Sequence, residues 1–256
     1  MKARRVKRRV RHLIVSNIPR PEFFVRGYVN TLHRIFPERY TDADPFKTVW
    51  VDPMRIERAD IGGHRKLGRV YGGDWDVNSS EFDKLVRVKS IYNHFVEGVP
   101  WEETEFFAEE LELIDERGYD RYGCETRSEV EERFEEVDVL YKRIKEDGYK
   151  SQRQLLEELP KETVRQNNDE PLTVMNEIGV NVGREGELIF LRCGLHRLAI
   201  AKVLGLDKVP VLVRVRHREW QRIRNRVRIG EEAEYDVDTH PDLRDTVAEV
   251  NTPKTS

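Results

Sequence analysis

Residues 177–216 read EIGVNVGREGELIFLRCGLHRLAIAKVLGLDKVPVLVRVR. This stretch decides the fold. Glu177–Val182 alternates, with Ile178, Val180 and Val182 on one side of an extended segment. Gly183-Arg184-Glu185-Gly186 has turn chemistry, and Leu188–Cys193 reads as the returning strand. Gly194 breaks that strand. Leu195–Leu204 then has helical spacing, with Leu198, Ala201, Val203 and Leu204 apolar, and Gly205 ends it. Val209–Val215 is a further strand, with Pro210 near its start, where a strand tolerates proline. The pattern predicts a strand–strand–helix–strand unit.

Outward from this unit the sequence is mostly helical. Pro21 suits a first helical turn, and Phe24, Tyr28, Leu32 and Phe36 share one helix face. Residues 47–52 read as a short strand, and Gly72-Gly73-Asp74-Trp75-Asp76 as a turn. Ser79 or Ser80 is placed to cap a helix carrying Phe82, Leu85, Tyr92 and Phe95. Another helix begins near Pro100 with Phe106, Phe107, Leu111 and Ile114. A third, capped by Thr126, carries Val130, Phe134, Val137, Tyr141 and Ile144 and stops at Gly148.

Net charge is −3 over 256 residues, and this small value hides segregated blocks. Lys2, Arg4, Arg5, Lys7, Arg8, Arg9 and Arg11 stand without an acid. Residues 101–140 are strongly acidic, and residues 214–228 carry seven arginines against Glu219. Basic blocks at 1–11 and 214–228 are candidate contacts for nucleic acid; they equally suit pairing within the fold or solvated faces. No apolar run approaches the ~18 residues of a membrane span, and Leu13-Ile14-Val15 is too short for a secretory core. A cytoplasmic protein without a membrane partner is the expectation. Cys124 and Cys193 lack paired metal-ligand spacing and are too few for a disulfide scaffold.

The chemistry concentrates at Gly194. A glycine at a strand end lets the chain turn sharply into a helix. The first turn of that helix has free N–H groups and the positive end of the dipole, which together hold an anion. His196 and Arg197 lie in this turn. Arg197 can give phosphate oxygens a planar fork, and His196 can donate a hydrogen bond or move a proton. Arg197→Ala is expected to remove anion binding and leave the fold intact. Asp74, Trp75 and Asp76 form a second constellation, with two carboxylates for a base or a Mg²⁺ ligand and an indole to stack on a base. The alternative there is a turn with a buried tryptophan and solvated aspartates.

The run Cys193-Gly194-Leu195-His196-Arg197-Leu198-Ala199-Ile200-Ala201-Lys202-Val203-Leu204-Gly205, followed by Val209-Pro210-Val211, resembles the signature of the ParB/sulfiredoxin superfamily. The segment Leu140–Gln152 is similar to that family's helix-Gly-x-x-x-Gln segment, and Val49–Val51 to its first strand. The resemblance implies an α+β fold: a small mixed β-sheet of ParB/sulfiredoxin type, with a helical N-terminal extension. It divides the chain into 1–46, a basic arm and helix; 47–218, the family-like domain with a helical insertion at about 80–150; and 219–256, a basic helix and polar tail. Gly194, Arg197, Ala201 and Lys202 match the ParB pattern. Leu195, His196 and Ala199 stand where ParB has glutamate, arginine and arginine, which brings the chain nearer the sulfiredoxin and small-molecule-kinase branches. Sulfiredoxin's reactive cysteine directly precedes its His-Arg pair, and Leu195 is there instead.

The resemblance implies a nucleotide-binding protein, a phosphotransferase or hydrolase acting with a nucleoside triphosphate and Mg²⁺. Gly194, Leu195, His196, Arg197, Lys202, Gln152 and Trp75 would bind the nucleotide, and His196, Asp74 and Asp76 would serve catalysis. Two alternatives stand beside it: a DNA-binding or nuclease-like module without turnover, and a structural adaptor with a degenerate pocket.

Overall fold

The structure is a computed structural model that describes residues 21–61, 63, 66–159, 170, 172–231, 240–244 and 246. The basic run 2–11 and most of the C-terminal tail lie outside the described residues. The fold is mixed α/β, with seven α-helices among the described residues and a mixed sheet of seven strands.

The 177–216 stretch forms the middle of that sheet. Strand β5 (Ile178–Val182) and strand β6 (Leu188–Arg192) make an antiparallel hairpin. Helix α6 (Leu195–Val203) follows, and strand β7 (Val209–His217) returns parallel to β5. All of β5 and β7 is buried, so both faces of the sheet are covered. Strand β1 (Thr48–Val51) pairs antiparallel with the first half of β7, and β3 (Arg69–Tyr71) pairs parallel with its second half. On the far side β2 (Arg58–Ala59) joins β6, and β4 (Ser80–Glu81) joins β2.

Between β4 and β5 lie α2 (Val86–Glu97), α3 (Glu105–Arg117), α4 (Arg127–Asp147) and α5 (Gln152–Glu158). Thr126 and Glu129 close a capping box on α4, and Gly148 ends it. Phe134 of α4 holds the block together, with its ring centroid 4.8 Å from both Trp101 and Phe106 and 5.3 Å from Phe107. One continuous core joins these side chains to α6 and to Ile178, Val180, Phe190 and Val211 of the sheet.

One local expectation is corrected. Neither Ser79 nor Ser80 caps α2. Ser80 pairs with Ala59 in the sheet, and the Ser79 hydroxyl donates to the Asp76 carbonyl at 2.8 Å while accepting from Arg58 Nε at 2.6 Å. The helix read from Phe24, Tyr28, Leu32 and Phe36 is present as α1 (Pro21–Ile35); Phe24 and Tyr28 of that face are exposed, and Val29 packs against Gly68.

The arginine-rich stretch 214–228 is divided. Arg214, Arg216 and Arg224 are buried, whereas Arg218, Arg222, Arg226 and Arg228 are exposed. Arg214, where the β5–β7 register shifts by one residue, donates to the Met175 carbonyl at 2.6 Å and lies 3.5 Å from Glu170. Arg216 donates to Asp242, which also accepts from Trp220 Nε1 at 2.9 Å. Arg224, on helix α7 (Arg218–Arg228), grips Asp42 at 3.1 and 3.2 Å and donates to the Asp242 carbonyl. Burial would raise the Asp42 and Asp242 carboxyls, but Arg224 and Arg216 overcome it and hold both below the usual range. Their contribution to stability is therefore present above about pH 4 and lost on acidification. Asp242→Asn leaves Arg216 buried without its counter-charge and is expected to cost about 3–5 kcal/mol in urea unfolding at neutral pH. A loss below about 1 kcal/mol would show that Asp242 does not hold the C-terminal segment to β7.

Candidate functional site

The β6–α6 junction is backbone-strained in a way sequence alone suggests only for glycine. Cys193 has φ 60° and Gly194 φ 72°, two successive left-handed residues. At Gly194 a Cβ would stand 2.9 Å from Ile178 Cγ1 and 3.0 Å from Arg197 Nη2, so glycine is required there. A non-glycine residue in this region is held only by surroundings that over-determine it, a condition typical of functional turns. No side chain caps the first turn of α6.

This junction forms one wall of a cleft of about 1050 Å³. It is also lined by residues of α4 and of the 148–152 segment, and by Arg87 at the start of α2. Five of the expected binding residues line it: Gly194, Leu195, His196, Arg197 and Gln152. The charges are layered. Glu129, Glu132, Glu135, Glu136 and Asp147 are exposed at the rim, whereas Arg87, Arg133, Arg143 and Arg197 are half-buried below it. Arg133 pairs with Glu136. Among the described residues, neither Arg87 nor Arg143 has an acidic partner within ion-pair distance.

Arg197 does not point freely into this space. It donates to the Asn176 carbonyl, and its Nη1 lies 3.4 Å from Tyr149 Oη and 3.8 Å from Glu177 Oε2. Its side chain is only 13% exposed, so it is a buried strut with one face to the cleft. Arg197→Ala would strip the buried Glu177 of its counter-charge, and the expectation that alanine leaves the fold intact is therefore corrected. Glu177 accepts the Gln152 N–H at 2.5 Å, while its second oxygen is buried with no hydrogen-bond partner. Burial raises its carboxyl to about 7, against the opposing pull of Arg197 and the Gln152 N–H.

His196 Nε2 lies 3.2 Å from Tyr122 Oη. Burial, and then the charges of Arg133, Arg87 and Arg197, push the imidazole down to about 3, so it is neutral at pH 7. It is a hydrogen-bonding group there and a poor proton acceptor. Cys193 and Cys124 both border the cleft, but Cys193 is buried, and burial followed by Asp120 and Glu129 pushes the Cys124 thiol up to about 12. Neither thiol is set up as a nucleophile.

The remaining expected residues are elsewhere. Asp74 and Asp76 both bind Arg184 in the β5–β6 turn, at 2.8 Å each. That turn is at the end of the hairpin opposite Gly194, about 16 Å away along five strand residues. Burial would raise the Asp76 carboxyl, but hydrogen bonds from Arg184 hold it well below the usual range, so it is neither a base nor an open ligand. Trp75 packs near His217, with ring centroids 5.9 Å apart. Lys202, in the last turn of α6, binds Asp83 at 2.9 Å above the Phe82 ring and is outside the cleft. The roles expected of Asp74, Trp75, Asp76 and Lys202 at the Gly194 site are thus corrected. Among the described residues no group of three His, Cys, Asp or Glu side chains is placed to hold a metal ion, and none of the helices is long and apolar enough to cross a membrane. Arg87, Tyr122 and Arg133 were missed because no local motif marks them; Arg143 and Tyr149 lie inside the Leu140–Gln152 segment already singled out.

No family model, no curated protein and no solved structure matches the chain.

A carboxyl raised in the folded state favours folding most when protonated. The Glu177 contribution is therefore complete below about pH 4 and lost as pH rises to about 7. Neutral His196 acts oppositely as the pH falls below its usual range, so the readout is a difference. Relative to wild type, Glu177→Gln is expected to gain stability between about pH 5 and about pH 8 in urea melts. A constant difference across that range would place Glu177 in contact with water.

Proposed function

We propose that this protein binds the phosphate end of a nucleotide in the cleft at the β6–α6 junction, as a ParB/sulfiredoxin-like phosphate-binding protein. One observation carries the reading. Arg87 and Arg143 line the cleft half-buried and, among the described residues, without acidic partners, on the same space as the uncapped first turn of α6. Keeping such cations partly out of water is costly unless an anion completes the site. The cleft volume, about 1050 Å³, suits a nucleotide.

Two features favour a small ligand over a nucleic acid. The rim carboxylates would repel a polyanion passing over the cleft but leave room for a single phosphate chain to reach the arginines below. In addition, Arg214, Arg216 and Arg224 of the basic stretch are spent inside the fold. Mg²⁺, where it takes part, would arrive with the phosphates, since no carboxylate cluster waits for it among the described residues. The geometry supports binding more strongly than turnover, because Asp74 and Asp76 are not in the cleft to activate an acceptor.

Calorimetric titration with each nucleoside triphosphate, with and without Mg²⁺, tests this. Arg87→Ala and Arg143→Ala are each expected to weaken binding about ten- to a hundredfold, the size of one or two charge-assisted hydrogen bonds. Among the described residues neither side chain is in an ion pair, so melting is expected to change little. Absence of nucleotide binding to wild type, together with DNA binding that falls steeply with salt, would favour the DNA-binding alternative.

A further inference from the structure

We infer that Tyr122 is a positioning residue that fixes the tautomer of His196, so that the imidazole presents Nδ1–H to an anion in the cleft. This rests on the anion-cleft reading above. Tyr122 comes from the helical block, in the 118–125 loop between α3 and α4, whereas His196 starts the sheet-bound helix α6.

The loop is built to hold one shape. The Asp120 carboxylate accepts three consecutive backbone N–H groups, from Tyr122 at 2.8 Å, Gly123 at 2.6 Å and Cys124 at 2.7 Å. Arg121 is clamped to the buried Glu110 through its guanidinium, and its own N–H reaches that carboxylate at 3.0 Å. The phenol ring is set by Arg133, whose guanidinium carbon lies 5.0 Å from its centroid, and by Phe106 at 6.3 Å. Phe106 also stands 5.9 Å from the His196 ring. Both partners of the Tyr122–His196 contact are thus held from several sides.

The direction of that contact follows from donor inventory. Of the two groups a phenol O–H is the stronger donor and a neutral imidazole nitrogen the stronger acceptor, so the Tyr122 hydroxyl donates to His196 Nε2 across 3.2 Å. Nε2 must then carry a lone pair, which puts the imidazole hydrogen on Nδ1. Burial, and then the charges of Arg133, Arg87 and Arg197, disfavour the doubly protonated form. Among the described residues Nδ1 has no hydrogen-bond partner, and His196 borders the cleft.

The experiment needs no ligand. Two-bond ¹H–¹⁵N spectra of the ¹⁵N-histidine-labelled full chain report which ring nitrogen is protonated, with the His196 signal assigned by its loss in His196→Asn. The expected wild-type result is a protonated Nδ1 and a bare Nε2. Tyr122→Phe, which keeps the ring, is expected to move the two nitrogens toward averaged values and to weaken inorganic phosphate and pyrophosphate binding about three- to tenfold. Tyr122→Leu, which likewise removes the hydroxyl, is expected to average the nitrogens too and serves where Tyr122→Phe fails to fold. A bare Nδ1 in wild type, or spectra unchanged in the folded variants, overturns the inference. Should wild type bind no phosphate while the nitrogens behave as expected, the anion reading falls and the positioning of His196 by Tyr122 stands.

Discussion

A guanidinium keeps its proton under all ordinary conditions, so each buried arginine obliges the fold to deliver oxygens to it. Arg216 and Arg224 call in Asp242 from near the C-terminus and Asp42 from the loop before β1. Arg214 calls in Glu170 and the Met175 carbonyl from the connection ahead of β5. Arg197 calls in Glu177, Tyr149 and the Asn176 carbonyl. In each case residues remote in sequence are drawn to the central strands β5 and β7 or to the helix between β6 and β7. The sheet supplies the apolar core, and these pairings fix which peripheral segments dock on it.

The candidate site is a special case of the same rule in which the accounting is left open. Arg197 is satisfied from behind. Among the described residues Arg87 and Arg143, on the helical wall, have no carboxylate within ion-pair distance even though the outer face of α4 is lined with glutamates. Those glutamates lie at the rim, where water screens them, or are used locally, as Glu129 is in its capping box and Glu136 with Arg133. The resulting field is positive at depth and negative at the mouth, a form suited to a compact anion that enters end-on.

Legibility in the sequence followed the range of the interactions. The β5–β6 hairpin, α6, β7 and the caps of α4 depend on neighbours within a few residues, and alternation, Gly194, Thr126 and Gly148 mark them openly. Asp74 and Asp76 show the limit. Two aspartates in a glycine turn look the same whether they await a metal or an arginine, and the deciding Arg184 is 108 residues beyond Asp76. The basic stretch shows the same limit, because Asp42 and Asp242, which pair with Arg224 and Arg216, cannot be seen from it. Tyr122 and Arg87 carry no local signature; only the docking of the helical block brings them to His196. The outward aromatic face of α1 is a further case, where correct periodicity says nothing about which side meets the protein.

Cys193 and Gly194 make the β6–α6 turn rigid, while the α4 part of the lining is carried on a helical block more than forty residues earlier in the chain. The cleft therefore exists only while block and sheet are docked. Any molecule that occupies it bridges the two, and it must oppose their separation by RT ln(1 + [L]/Kd) without adding a bond to either one alone. Occupancy and the docking of block on sheet are one equilibrium in this architecture: a loosened block forfeits affinity, and a bound ligand acts as a reversible cross-link that adds to the core shared by the two.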